Sequence, residues 1–169
     1  MSRAFVKEDS GEEDDLPDRP QPPGPNYVTP RGNRLLRERL EALAAERSRF
    51  PAGADDGELR RRRRMVEREI RYYRGRAETA VVVDHADNPP EDVRIGAEIE
   101  AADESGHKRR FFIVGHDEAD PENGRISWAS PLAGLLLGRK AGDEAVWKKP
   151  GGETRLRITA VRYTGDGGA

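Results

Sequence analysis

The chain has no cysteine in its 169 residues, which excludes a disulfide framework and any thiolate metal site. It also has no long apolar run, and its first residues lack a hydrophobic signal core, so neither a membrane-spanning helix nor a secretory leader is expected. Aromatic residues make up only 6% and apolar residues 34%, against 37% charged, which is polar for a fully globular chain. Glycine-rich phosphate loops, paired zinc-type histidines and a nucleophile elbow are missing. His85, His107 and His116 stand singly, without the spacing of metal ligands. These gaps predict a soluble cytoplasmic protein with one ordinary domain and a slender appendage, and they give no sign of an enzyme.

What is present is strongly segregated charge. The net charge of −2 divides into −4 over residues 1–27, +5 over 28–84 and −3 over 85–169. The first segment holds Glu8, Asp9, Glu12, Glu13, Asp14, Asp15 and Asp18, followed by five prolines between Pro17 and Pro25. Self-repelling charge and proline with few apolar groups predict a disordered tail over 1–27. That tail reads either as a solubilising leader or as an acidic arm that screens the basic segment behind it.

From Pro30 to Thr79 the apolar residues follow a helical period. Leu36, Leu40, Leu43, Ala44 and Phe50 mark a first arm, and Leu59, Val66, Ile70, Tyr73 and Ala77 a second. Between them lies Pro51-Ala-Gly-Ala-Asp-Asp-Gly57, a short breaker-rich tip. Two narrow stripes joined this way predict an antiparallel coiled-coil hairpin over 28–80, projecting into solvent. Thr29-Pro30 supplies an N-cap and a first-turn proline for the first arm, and Asp56 a cap for the second. Five arginines, Arg60 to Arg64, stand just behind the tip, and Arg62 or Arg63 must fall near the seam. The run reads either as a solvated helix surface or, through Arg60, Arg61 and Arg64, as a contact for nucleic-acid phosphates. The tip acids Asp55, Asp56 and Glu58 read either as helix caps or as hard oxygen ligands.

After Val81 the pattern changes to strands. Val81 to Val83 reads as the first strand of a globular body, and 93–100 as a second, with Val93, Ile95, Ala97 and Ile99 on one face. A turn at Asp103-Glu-Ser-Gly106 leads into a strand over 109–114. An acidic loop from Asp117 to Gly124, a short strand over 126–130, and a leucine-rich helix from Pro131 closed by Gly138 follow. A final hairpin runs from Glu144 to Tyr163 around Pro150-Gly-Gly152. The fold class predicted for 81–163 is α+β, an antiparallel β domain with one short helix, followed by a flexible tail over 164–169.

Phe111-Phe-Ile-Val-Gly115, Asp117-Glu-Ala-Asp-Pro-Glu-Asn-Gly-Arg-Ile-Ser127, Ser130-Pro-Leu-Ala133, Leu137-Gly-Arg-Lys-Ala-Gly-Asp-Glu144 and Pro150-Gly-Gly-Glu153 occur in that order. Together they resemble the C-terminal domain of the Gre transcript-cleavage factors, the GreA/GreB family of transcription elongation factors. Val28-Thr29-Pro30-Arg31-Gly32 and Arg68-Glu-Ile-Arg-Tyr72 are similar to that family's hairpin. The resemblance implies an FKBP-like body and RNA polymerase as partner. It implies docking through Ala129, Ser130 and Pro131, with the hairpin reaching down the secondary channel toward nascent RNA and DNA. It also implies that tip acids, Asp55 and Asp56 here, help hold a Mg²⁺ shared with the polymerase, so that the polymerase rather than this chain is the enzyme. The tip departs from the family's pattern, with acids but no Ser-Glu-Asn, and each arm is about a heptad, or roughly 10 Å, short. In this it is similar to the Rnk-type members, whose short coils bind polymerase without stimulating cleavage. The alternative is an interaction module that uses its basic hairpin on another partner.

Overall fold

Thr29 begins the ordered hairpin by capping it. Its hydroxyl accepts the Gly32 amide at 2.9 Å, with Pro30 in the first turn where a missing N–H costs nothing. The computed structural model describes residues 16–51, 57–149 and 151–164. From this cap α1 (Pro30–Ser48) runs 19 residues and α2 (Gly57–Glu78) runs 22, so each arm is about 30 Å long. Leu43, Val66 and Ile70 are buried between them, flanked by Leu40, Phe50 and Tyr73. Glu46 pairs with Arg62 across the seam, nearer the tip than Leu43 and Val66, so the arms are antiparallel as expected. Arg62 and Arg63 do not enter the seam. Both are exposed at its rim, Arg62 bonded to Glu46 and Arg63 to Glu67. The expected cap Asp56, and Asp55 beside it, lie outside the described residues.

Val81 and Val82 depart from expectation. They form β2 (Val81–Val82), which pairs in parallel with β1 (Tyr27–Val28) at the base of the hairpin and takes no part in the body's sheet. The Val81 amide donates to the Asn26 carbonyl and the Val83 amide to that of Val28, which ties the two ends of the hairpin together. The strand expected over 93–100 begins later, at β3 (Glu98–Asp103). Gly96 holds φ at +88°, a left-handed turn that interrupts the alternating residues before it, although Val93 and Ala97 are still buried.

The body is a five-stranded sheet in the order β5-β4-β3-β7-β6, with β4 (Lys108–Val114), β5 (Arg125–Ser127), β6 (Glu144–Lys149) and β7 (Gly152–Arg162). Three pairings are antiparallel, and the β4–β5 pair is parallel because residues 115–124 cross over through two short 3₁₀ turns instead of a hairpin. A register shift between Glu100 and Ala101 marks a bulge where β3 meets β7, the kind of irregularity that bends a strand. Short α3 (Pro131–Leu136) turns Leu132, Ala133 and Leu136 onto the core formed by Ile99, Ile113, Leu156 and Ile158. Among the described residues no helix is long and apolar enough to cross a membrane.

The leader also differs from expectation from Leu16 onward. Residues 16–26 are laid along α2, because their few polar side chains find partners there. Asn26 donates to the Arg76 carbonyl, Gln21 to that of Tyr72, and Arg19 pairs with Glu69 at 3.0 Å while lying 3.8 Å over the Tyr72 ring.

Candidate functional site

Adjacent carboxylates on the first 3₁₀ turn (His116–Glu118) join hairpin and body. The Glu118 side chain is 1% exposed. It accepts the Thr29 hydroxyl at 2.5 Å, Arg31 Nη1 at 3.0 Å and Arg125 Nη1 at 3.2 Å. Burial of a charge at this depth requires such a complete set of donors. Gly32 permits the approach, since a Cβ there would lie 2.6 Å from Glu118 Oε2. Burial, and then the neighbouring Arg31, pull the Arg125 guanidinium below its usual value. Asp117 grips the other arm, accepting the Tyr72 hydroxyl at 2.7 Å and Arg76 Nε at 2.6 Å. Burial and the bond to Asp117 push the Tyr72 phenol up to about 12. One turn of backbone therefore holds α1 by Glu118 and α2 by Asp117. The acidic loop in the sequence carries no periodicity that announces this role.

The corner at the start of α3 lies on the body. Ala129 and Pro131 are exposed, and the Ser130 hydroxyl caps α3 by accepting the Ala133 amide at 3.1 Å. Behind the corner, Trp128 stands edge-on between Tyr27, with centroids 5.4 Å apart, and His116, at 5.9 Å. Tyr27 belongs to the strand that opens the hairpin and His116 to the turn that clamps it. The three expected docking residues are thus contiguous and presented on a surface packed against both. Gly115 lets the clamp turn pass β1 closely, a Cβ there falling 2.7 Å from the Tyr27 carbonyl oxygen.

The arginines lie elsewhere. Arg60 and Arg61 are exposed near the tip end of α2, and Arg64 is half-buried with its Nε lacking a hydrogen-bond partner among the described residues. Fifteen helical residues, about 22 Å, separate Arg61 from the clamped Arg76. Tip arginines and docking corner therefore form no single pocket. They are opposite ends of one object, and the Asp117–Glu118 clamp fixes the direction between them. Among the described residues no group of three or more histidine and carboxylate side chains is placed to hold a metal ion.

A basic helical hairpin clamped at its base to a curled sheet with an exposed helix-start corner defines a finger-and-body protein. Residues 88–163 match the family described as transcription elongation factor, GreA/GreB, C-terminal. GreB of Neisseria meningitidis serogroup B is 33% identical over 153 residues, covering 82% of this chain and 94% of that protein. GreA of Alkalilimnicola ehrlichii is 34% identical over 153 residues, covering 81% and 97%. A solved GreA/GreB elongation factor from Nitrosomonas europaea is 27% identical, covering 81% of this chain and 98% of that one, with a TM-score of 0.42. The chain belongs to the GreA/GreB family of transcription elongation factors.

Proposed function

We propose that this chain binds RNA polymerase through the corner at Ala129, Ser130 and Pro131 and extends its hairpin into the enzyme's secondary channel, where it modulates elongation without chemistry of its own. The observation that carries this reading is family membership across nearly the whole length of named elongation factors, 94% of one GreB and 97% of one GreA. The clamp supports it, because a finger can be aimed from a docking corner only if the two are rigidly joined. Arginine as the sole basic residue of both arms suits contact with phosphates of nascent RNA or DNA, through Arg60, Arg61 and Arg64.

Modulation fits better than stimulation of transcript cleavage. Against GreB, 82% of the 169 residues is about 139, which leaves about 14 of the 153 aligned positions without a counterpart here. A shortfall of that size matches arms about a heptad short each, or roughly 10 Å of lost reach. Asp55 and Asp56 are the residues that would face a Mg²⁺ shared with the polymerase, as carboxylates are hard ligands for that ion. They precede α2 directly but lie outside the described residues, and no step of the proposed activity passes through them.

Capture of core polymerase tests the partner. Wild type should be retained and Pro131→Asp lost, with unchanged melting of the variant. Failure of wild type to bind would favour an interaction module acting on another protein. On stalled elongation complexes the wild type should give little cleavage and compete with full-length factors. Strong Mg²⁺-dependent cleavage, lost in Asp55→Asn or Asp56→Asn, would restore the tip acids as metal ligands and overturn the modulating role.

A further inference from the structure

The two-stranded ribbon at the base of the hairpin has one edge without a partner. Its Val81 and Val83 amides donate to the Asn26 and Val28 carbonyls, so these residues turn toward β1. Successive strand residues present N–H and C=O to opposite edges, so Val82 turns both groups away from β1. No described strand stands on that side, because the sheet ends at β2. Exposed edges are usually blunted by lysine, proline or a bulge, and Ala80-Val-Val-Val83 has neither lysine nor proline. Val81 at 49% and Val82 at 47% are also the most exposed large apolar residues among those described. On the ribbon face that carries Tyr27 and Val83, a groove continues the apolar surface to Ile95 and Leu137. From Ala77 to Val93 the chain has five acids and no lysine or arginine. Glu91 and Asp92 are matched by Lys140 and Arg94. Glu78, Asp84 and Asp87 are exposed, form no ion pair among the described residues, and bracket β2 on both sides.

The geometry points to β2 as a docking edge for an extended segment of a partner protein, rich in β-branched residues and carrying lysine or arginine at both ends. Backbone, side chains and charge each select part of that description. An added strand pairs its own N–H and C=O with those of Val82, which any extended peptide supplies. Exposed valines as cross-strand neighbours favour β-branched side chains in the added strand. Acids on both sides of the edge favour cationic ends whichever way that strand runs. A second copy of this chain would bring the same acids to the same edge, and like charges oppose that pairing. Nucleic acid is disfavoured for the same reason. The edge shares no residue with the proposed polymerase contact at Ala129, Ser130 and Pro131, so it is a second surface.

The test uses the full chain without polymerase, so its outcome is independent of the docking proposal. The probe is the blocked peptide Arg-Val-Thr-Val-Thr-Val-Lys, titrated to about 1 mM, which reaches weak contacts. Bound peptide should shift the Val82 amide signal and slow its hydrogen exchange about tenfold, with the already bonded Val81 and Val83 amides changing much less. The same peptide with glutamate at both ends should bind about tenfold more weakly at low salt. Val82→Pro removes only an N–H that faces away from β1, so β1 and β2 keep their bonds, and affinity should fall at least about tenfold. Val82→Thr keeps the N–H and the branched shape and should bind within about twofold of wild type. If Val82→Pro loses its fold, exchange of the wild-type Val82 amide decides alone. Absence of binding, equal binding of the two peptides, or binding by folded Val82→Pro as tight as wild type would overturn the docking edge. Concentration-dependent dimerisation that protects the Val82 amide without peptide would give the edge to a second copy and overturn the proposal equally.

Discussion

Hairpin and body are held by different means. In the described body, thirteen buried apolar residues form one core, with Ile99, Ile113, Leu136 and Leu156 fully enclosed. The hairpin seam buries three, Leu43, Val66 and Ile70, with Leu40, Phe50 and Tyr73 partly buried against them, and an exposed Glu46–Arg62 pair crosses between the arms. Burial scales with apolar area removed from water, so the body stands on its own packing. A surface pair offers little, so the hairpin depends on its base, where Asp117 and Glu118 replace hydrophobic area with buried charge. A finger can stay thin and polar in this way because its direction is fixed at one end.

The comparison breaks most sharply at the core. Leu156→Ala should cost about 4 kcal/mol, the upper part of the range for an enclosed leucine, read as a lowered urea midpoint for the whole chain. A loss below about 1 kcal/mol would mean that the sheet is not what holds the body. Glu118→Gln comes next, at about 3 kcal/mol, since Arg31 and Arg125 lose their counter-charge at a buried site. Distances between spin labels on α1 and β6 should broaden in this variant. An unaltered distribution would show that the hairpin is aimed by something other than the clamp.

Leu43→Ala should cost about 2 kcal/mol, at the low end for a buried leucine because so narrow a seam collapses readily. The loss should stay in the hairpin, with amide exchange faster in α1 and the tip-side half of α2 and unaltered in β3 and β7. Tyr72 gives a pH test of similar size. Its phenol is raised from 10.0 to about 12, so the folded chain favours the neutral form. That contribution is complete below pH 10 and lost as pH rises from 10 to about 12, at most about 2.7 kcal/mol for two pH units and less with solvent screening. Tyr72→Phe should remove this alkaline loss while lowering stability at neutral pH, and a wild type flat across that window would refute the buried bond to Asp117. Smallest is Arg62→Ala, expected within about 0.5 kcal/mol because the pair with Glu46 is exposed.

Much of this was legible in the residues. The spacing of Leu36, Leu40 and Leu43 against Val66, Ile70 and Tyr73 predicted both arms, and Thr29-Pro30 located the start of α1. Asp103 to Gly106 and Gly138 marked turns whose left-handed glycines the structure contains. Val81 to Val83 misled, because a run of β-branched residues indicates a strand without naming its partner, and Tyr27 sits 54 positions away. Asp117 and Glu118 looked like solvated loop acids. Their burial depends on Thr29, Arg31, Tyr72 and Arg76, and nothing local distinguishes a carboxylate that will meet such partners from one that will not.

Local chemistry, then, sets what is repeated or adjacent in the chain: helical period, caps, turns, the arginine run and the corner at Ser130-Pro131. These follow from neighbours within a few residues, where sterics and hydrogen bonding act without help from the rest of the molecule. The pairing of β3 with β7, the parallel pairing of Val81 with Tyr27, the path of residues 16–26 up α2 and the joining of hairpin to body were decided only on folding. Each requires groups 40 to 90 positions apart to meet, as Thr29 meets Glu118 across 89. Such a meeting is favoured only once the core has already paid the entropy of bringing the segments together.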